Sequence, residues 1–189
     1  MAALSSDEEE NDWTLDTNVL IIANGSKSQA HVSQPDVPMK TKRQLARDLF
    51  ECIERNGRLC WNSRVAQEYV SRGAINLRAV GPPPILVQGR HMTWVDWWLT
   101  QPSVSLRIYS PKLIKLTGAE KDKLARRQFR DADDHRFLEL ARSSASKRLV
   151  SEEAHYNKGT IPAIKRILGV ICLGYQSAYE ECCKDSPDS

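Results

Sequence analysis

The 189-residue chain has no apolar run long enough to cross a bilayer and no leader of the secretory kind, so neither a membrane span nor a signal peptide is expected. Cysteine is sparse and unpatterned. Cys52, Cys60, Cys172, Cys182 and Cys183 form no CxxC pair and no metal-type spacing with histidine, which argues against a structural zinc site. Their odd number and their apolar settings fit buried thiols in a reducing, cytoplasmic compartment. Net charge is only +3, too little to argue for nucleic acid by itself. No internal repeat is visible.

Hydrophobic residues make up 41% and charged residues 27%, a globular mixture that excludes wholesale disorder. The length suits one domain, expected over residues 12–184. Residues 1–11 are polar and acidic and read as a disordered tail. Charge is uneven: Asp7 to Asp12 is acidic, whereas Lys40 to Arg47 and Lys121 to Arg130 are basic. The body without its tail suits a polyanionic partner.

Trp13 to Leu15 reads as a strand running straight into a helix that starts after Asp16. In Lys40 to Arg55, Leu45, Leu49 and Ile53 recur every four residues, which predicts a helix stopped by Asn56-Gly57. Arg58 to Trp61 is a short strand, and Asn62 or Ser63 caps a helix carrying Val65, Glu68, Tyr69 and Val70. Gly81-Pro82-Pro83-Pro84 is a breaker. Trp94, Trp97 and Trp98 form a helical stripe. Val104 to Tyr109 alternates like a strand, and Lys112 to Arg130 reads as mostly helical. Asp134 to Ser144 is a helix, Arg148 to Ser151 a strand, Ile161 to Leu168 a helix ended by Gly169, and Val170 to Leu173 a last strand followed by a helix to about Cys183. Strands alternating with helices imply an α/β fold, a parallel sheet covered on both faces.

Four carboxylates stand out. Asp16 follows the first strand, at the edge where ligands bind in open α/β sheets, although an aspartate there also makes an ordinary helix cap. Asp134 heads the stripe Phe137, Leu138 and Ala141, where an apolar residue is expected; a buried carboxylate is costly unless paired or metal-bound. Glu68 sits beside an apolar face. Glu152 and Glu153 follow directly after a strand. Brought to one edge, two such charges ~4 Å apart repel by roughly 4 kcal/mol at an effective dielectric near 20. A cluster of Asp16, Glu68, Asp134 and Glu153 therefore needs a cation, and all-oxygen donors select Mg²⁺ or Mn²⁺ rather than zinc. The competing reading is four separate caps and solvated acids.

On these residues the chain resembles the PIN-domain ribonucleases. The matching pieces are Leu15-Asp16-Thr17-Asn18-Val19-Leu20-Ile21, Glu68 in a helix after a strand, Asp133 to Ala141, Leu149-Val150-Ser151-Glu152-Glu153, and Ile161 to Leu168 with the strand and helix beyond. The likeness is greatest to bacterial toxin components of toxin–antitoxin pairs. It runs from Trp13 to Cys183 with an unusual middle, an insertion at about 73–111. It implies a three-layer α/β/α fold, a Mg²⁺- or Mn²⁺-dependent site and single-stranded RNA as substrate. By motif match Asp16, Glu68 and Asp134 take the principal acidic positions. Glu153 takes the fourth, where the family usually has Asp after Thr-x or Ser-x, and Ser151 matches the preceding hydroxyl. The implied activity is endoribonuclease, with an antitoxin or other regulatory protein as a further partner. A catalytically silent RNA- or protein-binding module is the alternative. The tryptophan stripe is expected to pack on the domain or on a second copy in a homodimer, and less readily to stack bases. His155 could reach phosphate but reads more simply as a loop histidine.

Overall fold

The computed structural model describes residues 11–25, 38–78, 85–86, 92–127, 129, 133–152 and 156–184. Five short strands make one parallel sheet: β1 (Asp12–Leu15), β2 (Arg58–Cys60), β5 (Ile108–Tyr109), β6 (Arg148–Val150) and β7 (Ile171–Leu173), in the order β5-β2-β1-β6-β7. Every pairing in it is parallel. All four residues of β1 are buried, as expected for a central strand covered on both faces.

The chain steps outward from β1 to β2 to β5, then returns to lay β6 on the other side of β1 and moves out again to β7. The direction of winding therefore reverses between β1 and β6. In doubly wound sheets that reversal opens a crevice at the carboxyl ends of the strands.

Helices cover the sheet in two layers. α1 (Thr17–Asn24) and α9 (Tyr175–Lys184) each pack on α2 (Met39–Asn56). On the other side α7 (His135–Ser143) lies on β1 and β6, while α8 (Ile161–Leu168) lies on β7 and against α6 (Gly118–Ala125). α2 is long because Leu49, Phe50 and Ile53 recur on one fully buried face. α8 ends where Gly169 adopts φ +73°, a left-handed cap that favours glycine. α3 (Ser63–Ser71) follows β2 and is capped by Asn62, whose Oδ1 accepts the Val65 N–H at 2.9 Å.

The segment after α3 packs on the body. Its pieces are a small antiparallel pair, β3 (Leu77–Arg78) with β4 (Ile85–Leu86), then α4 (Trp94–Leu99) and α5 (Pro102–Ser105). Asn24 ties it to the end of α1: its Nδ2 donates to the Ala74 carbonyl at 2.7 Å and its Oδ1 accepts from the Val95 N–H at 2.9 Å. Trp98 is buried edge-on against Phe50 and donates through Nε1 to Glu54 at 3.0 Å. Trp97 is 49% exposed, so it does not share the burial of Trp98 on the domain.

Three sequence readings need correction. Val104 to Tyr109 is not one strand: Pro102 starts a helical turn that takes in Val104, leaving only Ile108 and Tyr109 for β5. Of the described residues in Lys112 to Arg130, only Gly118–Ala125 are helical, with Thr117 and Glu120 forming a capping box. Asn11, assigned to the acidic tail, is buried, with Nδ2 donating to the Asn56 carbonyl at 3.1 Å and Oδ1 accepting from Arg148. The tail itself, the Gly81–Pro84 breaker, Glu153 and His155 lie outside the described residues. Among the described residues, no helix is long and apolar enough to cross a membrane.

Candidate functional site

Asp16 is the first residue beyond β1, and its N–H still donates to the Val150 carbonyl at 2.9 Å. The residue is 2% exposed. Oδ1 accepts the Thr17 N–H at 2.6 Å, so Asp16 does cap α1, and Oδ2 accepts the Ser151 hydroxyl at 2.6 Å. Ser151 is the first residue beyond β6. The two residues that flank the reversal point are thus joined side chain to side chain across the crevice.

Three neighbouring residues build the walls. Tyr69 of α3 is buried and donates its hydroxyl to the Leu15 carbonyl, next to Asp16. Burial raises its phenol well above the usual range, and the negative charge of Asp16 adds to the effect. Tyr175 opens α9 from the far side, and burial likewise raises its phenol, reinforced by Glu152 and Asp16. Its hydroxyl has no hydrogen-bond partner among the described residues. An unpaired buried hydroxyl costs roughly 1–3 kcal/mol. Both phenols remain protonated donors at neutral pH. Glu152 is tied to the start of α9, its Oε1 accepting the Tyr175 N–H at 2.9 Å. A Cβ on Gly174 would lie 2.6 Å from that oxygen, so glycine lets the carboxylate reach the start of α9.

Asp134 immediately precedes α7 and is 6% exposed. The cap reading fails here, because its side chain makes no capping bond to the helix. The helix it heads packs on β1 and β6. One turn on, Phe137 packs on the Tyr69 ring at 6.0 Å, and Tyr69 in turn reaches the residue beside Asp16. Helix direction and these contacts place Asp134 at the carboxyl edge.

Glu68 is buried but sits in a cationic clamp. Oε1 accepts Arg72 Nε at 2.8 Å and Oε2 accepts Arg136 Nη1 at 2.9 Å. This accounts for a glutamate beside an apolar face: two charge-assisted bonds offset its burial. The sequence reading missed both arginines. Arg72 was legible from its i+4 spacing, whereas Arg136 lies 68 residues away and carries no local signal.

Of the four acids expected to converge, Asp16 and Asp134 are buried at the edge, Glu68 is held by guanidiniums, and Glu153 lies outside the described residues. Among the described residues, no group of three or more His, Cys, Asp or Glu is placed to hold a metal ion. The oxygens of Asp16, Ser151 and Asp134 suit a hard divalent cation; Glu68, with both oxygens on arginines, does not. No protein-family model, no curated protein and no solved structure matches the chain.

Proposed function

We propose that the protein is a PIN-like ribonuclease that hydrolyses single-stranded RNA with Mg²⁺ or Mn²⁺. The observation that carries this reading is the buried Asp16 carboxylate at the winding reversal, joined to Ser151, with Asp134 buried at the start of α7. Asp16 and Asp134 would hold the ion, with Glu153, next in chain after Glu152, assisting. A divalent ion bound there supplies charge stabilisation to the phosphodiester and acidifies the attacking water.

The chain's own groups do the rest. Ser151 and the Thr17 N–H fix the Asp16 carboxylate in one orientation. The Tyr175 hydroxyl offers a neutral donor beside Asp16. Lys121 and Lys123 of α6 and Arg126 and Arg127 just after it are exposed, as are Lys165 and Arg166 of α8, which packs against α6. Such a surface suits a phosphate backbone, for which each contacted phosphate steepens the salt dependence by roughly 0.7 in log–log slope.

Purified protein should cleave an unstructured oligoribonucleotide with Mg²⁺ or Mn²⁺ and stop on chelation. Asp134→Asn should be inactive with an unchanged circular-dichroism spectrum. Undiminished cleavage by that variant would sink the proposal. The clamp on Glu68 favours a second reading, a PIN-like module that binds RNA without cleaving it. Salt-dependent RNA binding with no cleavage under any metal would select it.

A further inference from the structure

The clamp on Glu68 runs further than one ion pair. Arg136 uses all three of its guanidinium nitrogens: Nη1 on Glu68 at 2.9 Å, Nε on the Asp133 carbonyl at 2.9 Å, and Nη2 on the Asp133 carboxylate. Arg72 holds the other oxygen of Glu68 and brings Nη2 to 3.9 Å from Asp133. Glu68 belongs to α3, while Asp133 is the residue before Asp134. A buried carboxylate on one helix is thereby wired, through one guanidinium, to the backbone that presents the acid at the start of another.

Asp134 is held on both sides. Behind it Arg136 grips Asp133, and ahead of it Phe137 is buried against Tyr69, with its N–H on the Asp134 carbonyl at 3.1 Å. Handing Glu68 to a dication would strip Arg136 of its buried partner and set a guanidinium beside the ion on one carboxylate. Those two cations compete for the same oxygens, and like charges repel.

We infer that Glu68 is a positioning residue, not a metal ligand: through Arg136 and Asp133 it fixes the start of α7 and so the Asp134 carboxylate. This rests on reading Asp134 as a ligand, and it reverses the role that the motif match gives Glu68.

The two roles make opposite predictions for Arg136. Mn²⁺ binding to the full chain is measured by calorimetry for wild type, Glu68→Gln, Arg136→Met, the double variant and Arg136→Lys. If Glu68 positions, Glu68→Gln and Arg136→Met each weaken Mn²⁺ by about tenfold, the loss typical of groups that orient a ligand. The double variant is then no worse than either single one, because both cut the same chain of bonds. Arg136→Lys keeps the charge but not the fork, and falls between. Should Arg136→Met not fold, Arg136→Lys carries the test, with weakened Mn²⁺ as the expected result.

If Glu68 is instead a ligand, removing Arg136 frees it, and Arg136→Met or Arg136→Lys binds Mn²⁺ as tightly as wild type or tighter. That result overturns the inference while leaving the metal site standing. Unchanged Mn²⁺ affinity in every variant, with only melting lowered, also overturns it, since the clamp would then be structural alone. Wild type that binds no Mn²⁺ removes the metal reading and the inference together.

Discussion

Asp12 and Asp16 stand at opposite ends of β1, both buried, and they are held by different kinds of group. Asp12, at the amino end, is fully buried and meets a cation: Arg58 Nε lies 2.7 Å from Oδ1, and the Ala145 N–H donates to Oδ2 at 3.1 Å. Asp16, at the carboxyl end, takes a hydroxyl and a backbone N–H. A guanidinium cancels the charge it binds; a hydroxyl and an amide orient a carboxylate by hydrogen bonds. The first arrangement is what a fold needs to bury an acid. The second is what a cation site needs, and it lies where the winding reverses. Four residues of one strand separate a structural aspartate from a candidate functional one.

The largest expected effect is therefore on chemistry at the carboxyl end. Asp16→Asn should lower RNA cleavage by roughly 10²–10³-fold, the loss seen when one charge-stabilising group is removed, with melting little changed. Asp12→Asn should do the reverse. It leaves Arg58 only partly solvated and should cost about 2–3 kcal/mol, less than a fully buried pair. In a chain of this size that lowers Tm by about 4–12 °C, with cleavage per folded molecule kept. Activity loss from Asp12→Asn in well-folded protein would break the comparison.

A further effect, confined to alkaline pH, concerns the buried thiols. Burial pushes the Cys60 thiol up to about 12, and the charge of Asp12 adds to it; burial alone does the same for Cys172. Both thiols are neutral in folded and unfolded chains well below pH 9. Above it the unfolded chain releases protons that the folded one keeps, so stability falls between about 9 and 12. Each thiol contributes at most roughly 1.4 kcal/mol per pH unit. Melting curves from pH 7 to 11 should show this decline, and Cys172→Ala should flatten it. A slope that does not respond to the substitution would mean that Cys172 is not holding its proton as described.

Much of the architecture was legible because its signals are local. The four-residue recurrence of Leu45, Leu49 and Ile53 and the stop at Gly169 each mark an element within one window of sequence. β5 was misread for a reason equally local: Val104 to Tyr109 alternates like a strand, and only Pro102 at a helix start betrays the turn. Asp16 and Ser151 were legible as strand-end residues next to caps, although their hydrogen bond spans 135 residues. Arg136, the partner that ties Glu68 to α7, was not. A glutamate beside an apolar face says that something offsets its charge, but not whether that is a metal or a guanidinium. Arg136 becomes its neighbour only when α3 and α7 pack.

Melting with and without Mn²⁺ tests the proposed site most directly. A ligand that binds only the folded state raises Tm by mass action, by about 2.7 kcal/mol of stability at a hundredfold excess over Kd. Wild type and Asp12→Asn should both rise with Mn²⁺, and the Asp16→Asn/Asp134→Asn double variant should not. An equal rise in the double variant, or none in wild type, would contradict a cation site at the carboxyl end of β1.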